Sequence, residues 1–377
     1  MTGKNQTYAR QVNNQLVMRE LRDGLCSATM LSQKLNLSNA AISGIIAELI
    51  KNGYIKEVSD APNNQGLGRR PVYYTINENF GYVVVVSFAD YVAKIVVSDM
   101  KKQIVDSYEQ NVEKYDLAML FQLVLKLKTM LSADKYRDMP LLGIDLSVPG
   151  RVNTLTGELQ LSPQFDKEIF SEKNSIVNLF LEHFGVPVVM TNDINLAAIG
   201  EMHLGSLSGV CNGMLVHVDE GVGGALILQG MPYFGQHGFA GEVGLMRTEF
   251  DGQINALDEF VSLRAVRQRL SQHFGREVTA DEVASLFATD SYTNQYITRT
   301  ARCLGNVLRG IVELLDISTI VLSGRLSKIP QYVQTVNDEV SSSLNNATVV
   351  ASKLGGNASV LGAVSKAVEA LTDDIFK

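Results

Sequence analysis

Short, nearly unbroken runs of Val, Ile and Leu restrict the fold of this 377-residue chain more than any other feature. They occur at residues 82–88, 140–148, 187–191 and 317–324, and helical stretches with one apolar face separate them. A strand that is apolar on both faces belongs to a sheet that helices cover on both sides. The alternation therefore predicts an α/β body that begins at about residue 79.

The order of segments in this body suggests two related halves. A strand hairpin, a helix and a further strand follow residue 82, and a similar order follows residue 213. Ligands of such sheets bind at the carboxyl ends of the strands. Asn192 and Asp193 lie at such an end, between an apolar run and a helix predicted over 194–204. They are therefore candidate ligand-binding residues.

The first 78 residues show a different pattern. Apolar residues at helical spacing predict three helices, with Ser27 and Ser38 as candidate N-caps and Asn52-Gly53 as the end of the third helix. Two strand-like segments joined by a polar loop follow. This order predicts a winged helix-turn-helix.

Small and basic groups in this head suit a DNA-binding role. The start of the third helix would present small side chains to a major groove, and two wing arginines would reach a minor groove or its phosphates. Residues 1–80 carry nine Lys and Arg against six Asp and Glu, a net charge of +3, and the rest of the chain carries −10. The alternative is a helical packing domain with a solvated arginine pair. The predicted DNA-binding residues are Ser38, Asn39, Ala40, Ser43, Arg69 and Arg70.

Cysteine usage and hydropathy bear on the cellular compartment. The three cysteines are far apart, which is typical of a reduced protein. The chain has no run of 18 apolar residues, and its first residues are polar. We therefore expect a cytoplasmic protein with no membrane partner.

Several body segments together resemble one known family. In order, they are "GIDLSVPGRVNTLTGEL", "TNDINLAAIGE", "FAGEVG" and "IVLSG". They resemble the ROK family of sugar kinases and sugar-responsive repressors, and the winged head resembles the repressor branch. The resemblance implies that residues 79–377 form an α/β body of actin-like or hexokinase-like fold, with two lobes and a sugar in the cleft. Residues 1–78 would form the DNA-binding domain.

The resemblance also implies the sugar-binding residues. Asp193 matches the catalytic base of the family's kinases, Glu242 a residue that accepts hydrogen bonds from the sugar, and Asp258 a sugar-contacting Glu. The predicted sugar site is Asn192, Asp193, Glu242 and Asp258. Two structural alternatives remain: Asp193 as a helix N-cap and Glu242 as a surface turn residue.

Zinc, which the family holds with a His and a Cys cluster, is not expected here. Leu245 stands at the His position, and the segment 247–262 contains no Cys. The sequence therefore predicts no metal and no other cofactor.

The phosphate-binding turns of the family's kinases are altered in this chain. Ser87 stands near the position of the family's Asp, and Ala89 and Asp90 stand near the first Gly-rich turn. Asp219 and Glu220 add negative charge to the second turn. Side chains hinder a close approach of phosphate to the backbone, and carboxylates repel it. We therefore expect no catalytic residue and no enzyme activity, with Asp193 acting only as a ligand anchor.

Together these features predict a carbohydrate-responsive transcriptional regulator, a repressor of sugar uptake or catabolism genes. Its partners would be a double-stranded DNA operator and a sugar or sugar derivative, and the chain would form a homodimer or a dimer of dimers. Two alternatives remain: a ROK-type sugar kinase with a vestigial head, and a regulator that responds to a partner protein while its sugar cleft is non-functional.

Overall fold

The computed structural model of the chain describes residues 2–58, 71–89, 91–162, 164–170, 175–342 and 346–374. Within these residues, an N-terminal head precedes a body of two α/β lobes. None of the described helices is long and apolar enough to cross a membrane.

The head is a winged helix-turn-helix, as the sequence predicts. Ser27 caps α2 by accepting a hydrogen bond from Met30 N, and Ser38 caps α3 by accepting one from Ala41 N. Asn36, with φ 52°, turns the chain between these helices. Arg69 and Arg70 belong to segment 59–70, outside the described residues. The elements are α1 (Thr2–Asp23), β1 (Cys26–Ser27), α2 (Ala28–Leu35), α3 (Asn39–Lys51), β2 (Ile55–Val58) and β3 (Tyr73–Ile76).

The first lobe contains a mixed sheet of order β10-β7-β4-β5-β6, in which β4, β7 and β10 run parallel. Both faces of β4 are buried, because Val84 and Val86 face α4 and α5 while Val83 and Val85 face the C-terminal helix. Its elements are β4 (Tyr82–Ala89), β5 (Val92–Asp99), β6 (Ile104–Asn111), α4 (Leu117–Leu131), β7 (Leu141–Val148), β8 (Arg151–Val152), β9 (Leu159–Leu161), α5 (Ile176–Phe184) and β10 (Val188–Asn192).

The second lobe repeats this arrangement with the sheet order β13-β12-β11-β16-β17. Helices α8, α10 and α11 cover one face of it, and α6 covers the other. The elements are α6 (Asp193–Leu204), β11 (Gly213–Val218), β12 (Val222–Leu228), β13 (Met231–Tyr233), β14 (Arg247–Phe250), β15 (Gln253–Ala256), α7 (Asp258–Val261), α8 (Leu263–Phe274), α9 (Glu282–Thr289), α10 (Ser291–Leu315), β16 (Thr319–Ser323), α11 (Pro330–Ser341), β17 (Thr348–Ala351) and α12 (Ala358–Asp374).

Helices α6 and α12 cross between the two sheets, and glycines allow their backbones to touch. A Cβ on Gly362 would lie far inside van der Waals contact of the Leu196 carbonyl oxygen, and a Cβ on Gly200 would collide with the Ala358 carbonyl. Helix α6 begins at the interlobe cleft with Asp193. The crossing therefore connects the cleft to the C-terminal helix.

The head shares a hydrophobic core with the body. Val17 and Leu21 of α1 belong to the same buried cluster as Val364 and Val368 of α12. The Arg22 guanidinium donates hydrogen bonds to the Thr372 hydroxyl at 2.6 Å and to the Glu369 carbonyl at 3.2 Å. The head is therefore packed against α12, the helix that crosses α6.

A charged group reinforces the joint between head and body, where the domain boundary is predicted. Glu78 pairs with Lys56 of the wing strand β2 and, at 3.1 Å, with Lys101 in the β5–β6 turn. Burial acts to raise the pKa of Glu78, but hydrogen bonds from the two lysines and the backbone lower it to about 2.

Candidate functional site

A cleft of about 1050 Å³ separates the two lobes, and all four predicted sugar-binding residues line it. Asn192 and Asp193 come from the end of β10 and the start of α6. Glu242 and Asp258 come from the second lobe. The structure therefore brings together, from two lobes, residues that lie up to 66 positions apart in the sequence (192 to 258).

Asn192, not Asp193, caps helix α6. The Asn192 side chain accepts a hydrogen bond from Asn195 N at 2.9 Å and donates one to the Gly150 carbonyl at 2.9 Å. The helix begins one residue earlier than the predicted 194. Asp193 is its first residue, where a carboxylate interacts favourably with the helix dipole. One Asp193 oxygen accepts from Ile194 N, and its side chain lines the cleft.

Two glycines place Glu242 above the second sheet. A Cβ on Gly241 or Gly244 would collide with the backbone of β12, so only glycine allows this segment to lie so close to the strand. The Glu242 side chain is 39% exposed, and its carboxylate lies 3.6 Å from the Arg151 guanidinium. Glu242 therefore projects into the cleft and is not a turn residue on the outer surface.

Both carboxylate oxygens of Asp258 are held by neighbouring elements of the second lobe. One of its oxygens accepts from Val222 N at 2.6 Å, and the other accepts from the Arg264 guanidinium at 2.7 Å. These bonds tie the start of α7 to β12 and α8. Each oxygen retains a lone pair for a further donor, but the side chain has little freedom to follow a ligand.

Two further cleft residues escaped the sequence analysis. Arg151 lines the cleft shortly after the end of β7. The rule that ligands bind at the carboxyl ends of strands could have identified it. Gln164 lies in an irregular segment with no such signal. Its Oε1 atom is buried and has no hydrogen-bond partner within the described residues. This amide oxygen would accept from a sugar hydroxyl only after the side chain turns toward the cleft.

The β11–β12 turn, the second of the two phosphate-type turns, is filled by ion pairs. Arg325 donates to Asp219 through both its backbone N and its Nε, each at 2.8 Å, and its guanidinium also reaches Glu220. Arg267 pairs with Glu220 at 3.0 Å. Burial acts to raise the pKa of Asp219, but the bonds from Arg325 outweigh it and hold this pKa below its ordinary value.

These pairs weaken the electrostatic argument against phosphate at this turn. The sequence suggested that Asp219 and Glu220 repel it, but paired arginines largely compensate both carboxylates. Nearby glycines have packing roles, because Cβ atoms at Gly223 and Gly224 would meet Ile194 and Gly241.

The other hairpin, between β4 and β5, is tight and lacks glycine. Ala89 pairs with Val92, and Tyr91 adopts a positive φ of 60°. Ser87 is buried within β4, whereas Ala89 reaches the cleft wall. Asp90 lies outside the described residues.

The predicted DNA-binding residues of α3 form an exposed surface. Ser38, Asn39, Ala40 and Ser43 are all exposed, and so is Gly44. The opposite side of the helix is buried through Ile42, Ile45, Ile46 and Leu49. The helix therefore presents a face of small side chains over its N-terminal half.

A model of the ROK family matches residues 89–369, which is most of the chain. The chain belongs to the ROK family. This match covers the body, and the winged head precedes it.

Solved structures of ROK proteins confirm the fold of both parts. A ROK family transcriptional regulator, a homolog of the E. coli MLC protein, superposes with a TM-score of 0.81 at 19% identity and covers 98% of both chains. The ROK hexokinase from Thermus thermophilus matches 75% of this chain and 96% of its own length, with a TM-score of 0.63 and 23% identity. The xylose repressor of Bacillus subtilis (strain 168) is 25% identical over 387 residues, covering 98% of each chain.

The residues of this ROK protein do not fit the zinc site that the family resemblance implies. Leu245 lies at the cleft wall with its apolar side chain 53% exposed. The β14–β15 hairpin occupies the predicted zinc-loop segment. Among the described residues, no group of three or more His, Cys, Asp or Glu could hold a metal ion.

We expect the purified protein to hold far less than one zinc ion per chain, and we expect EDTA to leave its melting temperature unchanged. A structural zinc ion contributes folding energy, so its removal would lower the melting temperature. Elemental analysis after dialysis and thermal unfolding with and without EDTA test this expectation. A stoichiometric zinc ion that survives dialysis would contradict it.

Proposed function

We infer that this ROK protein is a transcriptional repressor whose affinity for its DNA operator is controlled by a sugar bound between the lobes. One observation carries this inference: the chain combines an exposed helix-turn-helix face with an interlobe cleft that several polar side chains line. Helices packed in one core join the two. The similarity to a xylose repressor over nearly the full length supports it.

The cleft suits a neutral polyol. Asp193 and Glu242 offer carboxylate oxygens as acceptors, Gln164 adds an amide side chain at the wall, and Asn192 fixes the strand end that carries Asp193. Sugar hydroxyls can donate to each acceptor, and Leu245 adds an apolar wall beside them. The Bacillus subtilis relative makes D-xylose the first sugar to test.

Sugar kinase activity is the less favoured function for a protein with this fold. Catalysis of phosphoryl transfer depends on backbone amides and cations that cradle the nucleotide phosphates. Here the Asp219–Arg325 pair fills one turn, and a hairpin without glycine forms the other. Asp193 is thus proposed to anchor the ligand without catalysing its phosphorylation. Measuring ATP consumption with a panel of sugars separates the two readings.

We propose that the repressor acts as a homodimer or a dimer of dimers. Two winged heads would then contact a pseudo-palindromic operator with half-sites one or two helical turns apart. Binding should weaken as salt concentration rises, because protein–phosphate contacts release counterions.

Replacing Ser43 with Glu should lower operator affinity about ten- to a hundredfold, because a carboxylate on the exposed face of α3 would meet the DNA phosphates. Ser285→Glu is the matched control, since Ser285 is an exposed helical serine in the second lobe. Gel retardation with the chain's own upstream DNA at low salt measures both affinities. If wild type forms no retarded complex, or if Ser43→Glu binds as tightly as the control, the DNA-binding assignment is wrong.

A panel of D-xylose, D-glucose, D-galactose and N-acetylglucosamine tests the sugar assignment. A ligand at 100 times its dissociation constant should add about 2.7 kcal/mol of stability, which a thermal shift detects. A sugar that stabilises the protein should also change its operator affinity. If no sugar in a broad panel does either, the signal comes from elsewhere, for example from a partner protein.

A further inference from the structure

Helix α12 connects the sugar cleft to the DNA-binding head. At its first turn, Ala358 and Ser359 line the cleft. Near its other end, the Glu369 carbonyl and the Thr372 hydroxyl accept hydrogen bonds from Arg22 of α1. A displacement of α12 along its axis would therefore also displace α1 and the head.

One polar group ties this helix to the strand that carries the ligand anchors. The Lys366 ammonium, in the middle of α12, donates to Asp145 Oδ2 at 2.8 Å and to Thr191 Oγ1 at 2.7 Å. Thr191 directly precedes Asn192 and Asp193 at the end of β10. A shift of that strand end on ligand binding would thus act on Lys366 through a single hydrogen bond.

Polar atoms close to Lys366 lack hydrogen-bond partners within the described residues, so its ammonium group has other acceptors available if it moves. Asp145 is only 2% exposed, and its Oδ1 atom has no hydrogen-bond partner within the described residues. The Ser147 hydroxyl, in register with Thr191 on the neighbouring strand, also lacks one there. Lys366 has three donors, and the described bonds use two. Exchange among these partners can therefore offset part of the cost of moving α12.

We propose that Lys366, Asp145 and Thr191 form a latch through which sugar binding at the end of β10 repositions α12 and, with it, the DNA-binding head. This inference rests on the proposed function, because it assigns the route by which the sugar acts on the operator. Lys366 is a positioning residue and contacts neither ligand in this scheme. Its role is to couple the two binding equilibria.

The latch is tested with the double variant Lys366→Met with Asp145→Asn. Removing both charges avoids leaving an unpaired buried carboxylate, which a single substitution would do. Lys135→Met with Asp106→Asn is the matched control, because that Lys–Asp pair has the same 2.8 Å separation but lies outside α12. Thr191→Val is a second test variant that keeps the Lys366–Asp145 pair and removes the Thr191 hydroxyl, which joins β10 to both members of that pair.

The measured quantity is the ratio of operator affinities without and with the sugar that stabilises wild type most. Substitutions along a coupling route change such ratios by about two- to thirtyfold. We expect this loss in both latch variants and the wild-type ratio in the control. The latch variants should still bind operator without sugar, and circular dichroism should show wild-type folding.

The outcomes separate this inference from the proposed function. If wild type responds to sugar and both latch variants keep its full ratio, the latch is wrong and the proposed function stands. If wild type shows no response to any sugar, the proposed function itself fails, and the latch fails with it.

Discussion

Replacing Asp193 with Ala is expected to produce a repressor that binds its operator normally and no longer releases it at sugar concentrations that saturate wild type. A charge-assisted hydrogen bond from a sugar hydroxyl to this carboxylate contributes about 1.5–3 kcal/mol. Its loss lowers sugar affinity about ten- to a hundredfold. Asp193 lies in the cleft and α3 lies in the head, so sugar-free operator binding should be unchanged.

Operator titrations with increasing sugar measure this effect. Asp193→Asn keeps the shape of the side chain and removes its charge, so its sugar affinity should fall between those of wild type and Asp193→Ala. Asp338→Ala removes an exposed carboxylate from α11 and serves as the control. If Asp193→Ala responds to sugar at wild-type concentrations, the effector does not bind at the carboxyl end of β10.

Gly362→Ala should destabilise the protein severely, by about 2–4 kcal/mol. The added methyl group would overlap the Leu196 carbonyl oxygen, so α6 and α12 must separate along their crossing. Such a separation removes dispersion contacts from a buried interface between the lobes. The variant should also lose sugar response, because α6 carries Asp193 and α12 contacts the head.

Urea unfolding compares this variant with Gly310→Ala. Gly310 is an exposed residue of helix α10, and a Cβ there would meet no atom within 4 Å. Alanine at that site should stabilise the helix by about 0.5–1 kcal/mol. Equal unfolding midpoints for the two variants would show that the helix crossing tolerates a wider separation than the structure implies.

The sequence predicts those parts of the fold that local patterns determine. The burial of both faces of β4 follows from its continuous run of valines. The N-caps at Ser27 and Ser38 follow from local side-chain chemistry. Asp193 was predicted from its place at the carboxyl end of a strand, whereas Glu242 was predicted only because the family resemblance fixed its position. The structure places both in one cleft.

Long-range pairings could not be predicted in this way. Asp219 and Arg325 lie 106 residues apart, and no local pattern shows that one compensates the other. The choice between neighbouring caps was also missed, because Asn192 and Asp193 are both good N-cap residues and only the backbone geometry decides between them. Similarly, the sequence shows Lys366 only as a polar residue of an amphipathic helix. Its bonds to β7 and β10 are visible only in the folded structure.

The core that α1 shares with α12 limits which separations between operator half-sites the protein can bind. A head on a flexible tether would tolerate operators with a wide range of half-site separations, since the tether absorbs the difference. Here the head is packed against the body and held at Glu78 and Arg22. In a dimer, the spacing and rotational phase of the half-sites would then be set by the body-to-body interface. Inserting either half a helical turn or a whole turn between operator half-sites should therefore weaken binding strongly, because each changes a spacing that the packed heads cannot follow.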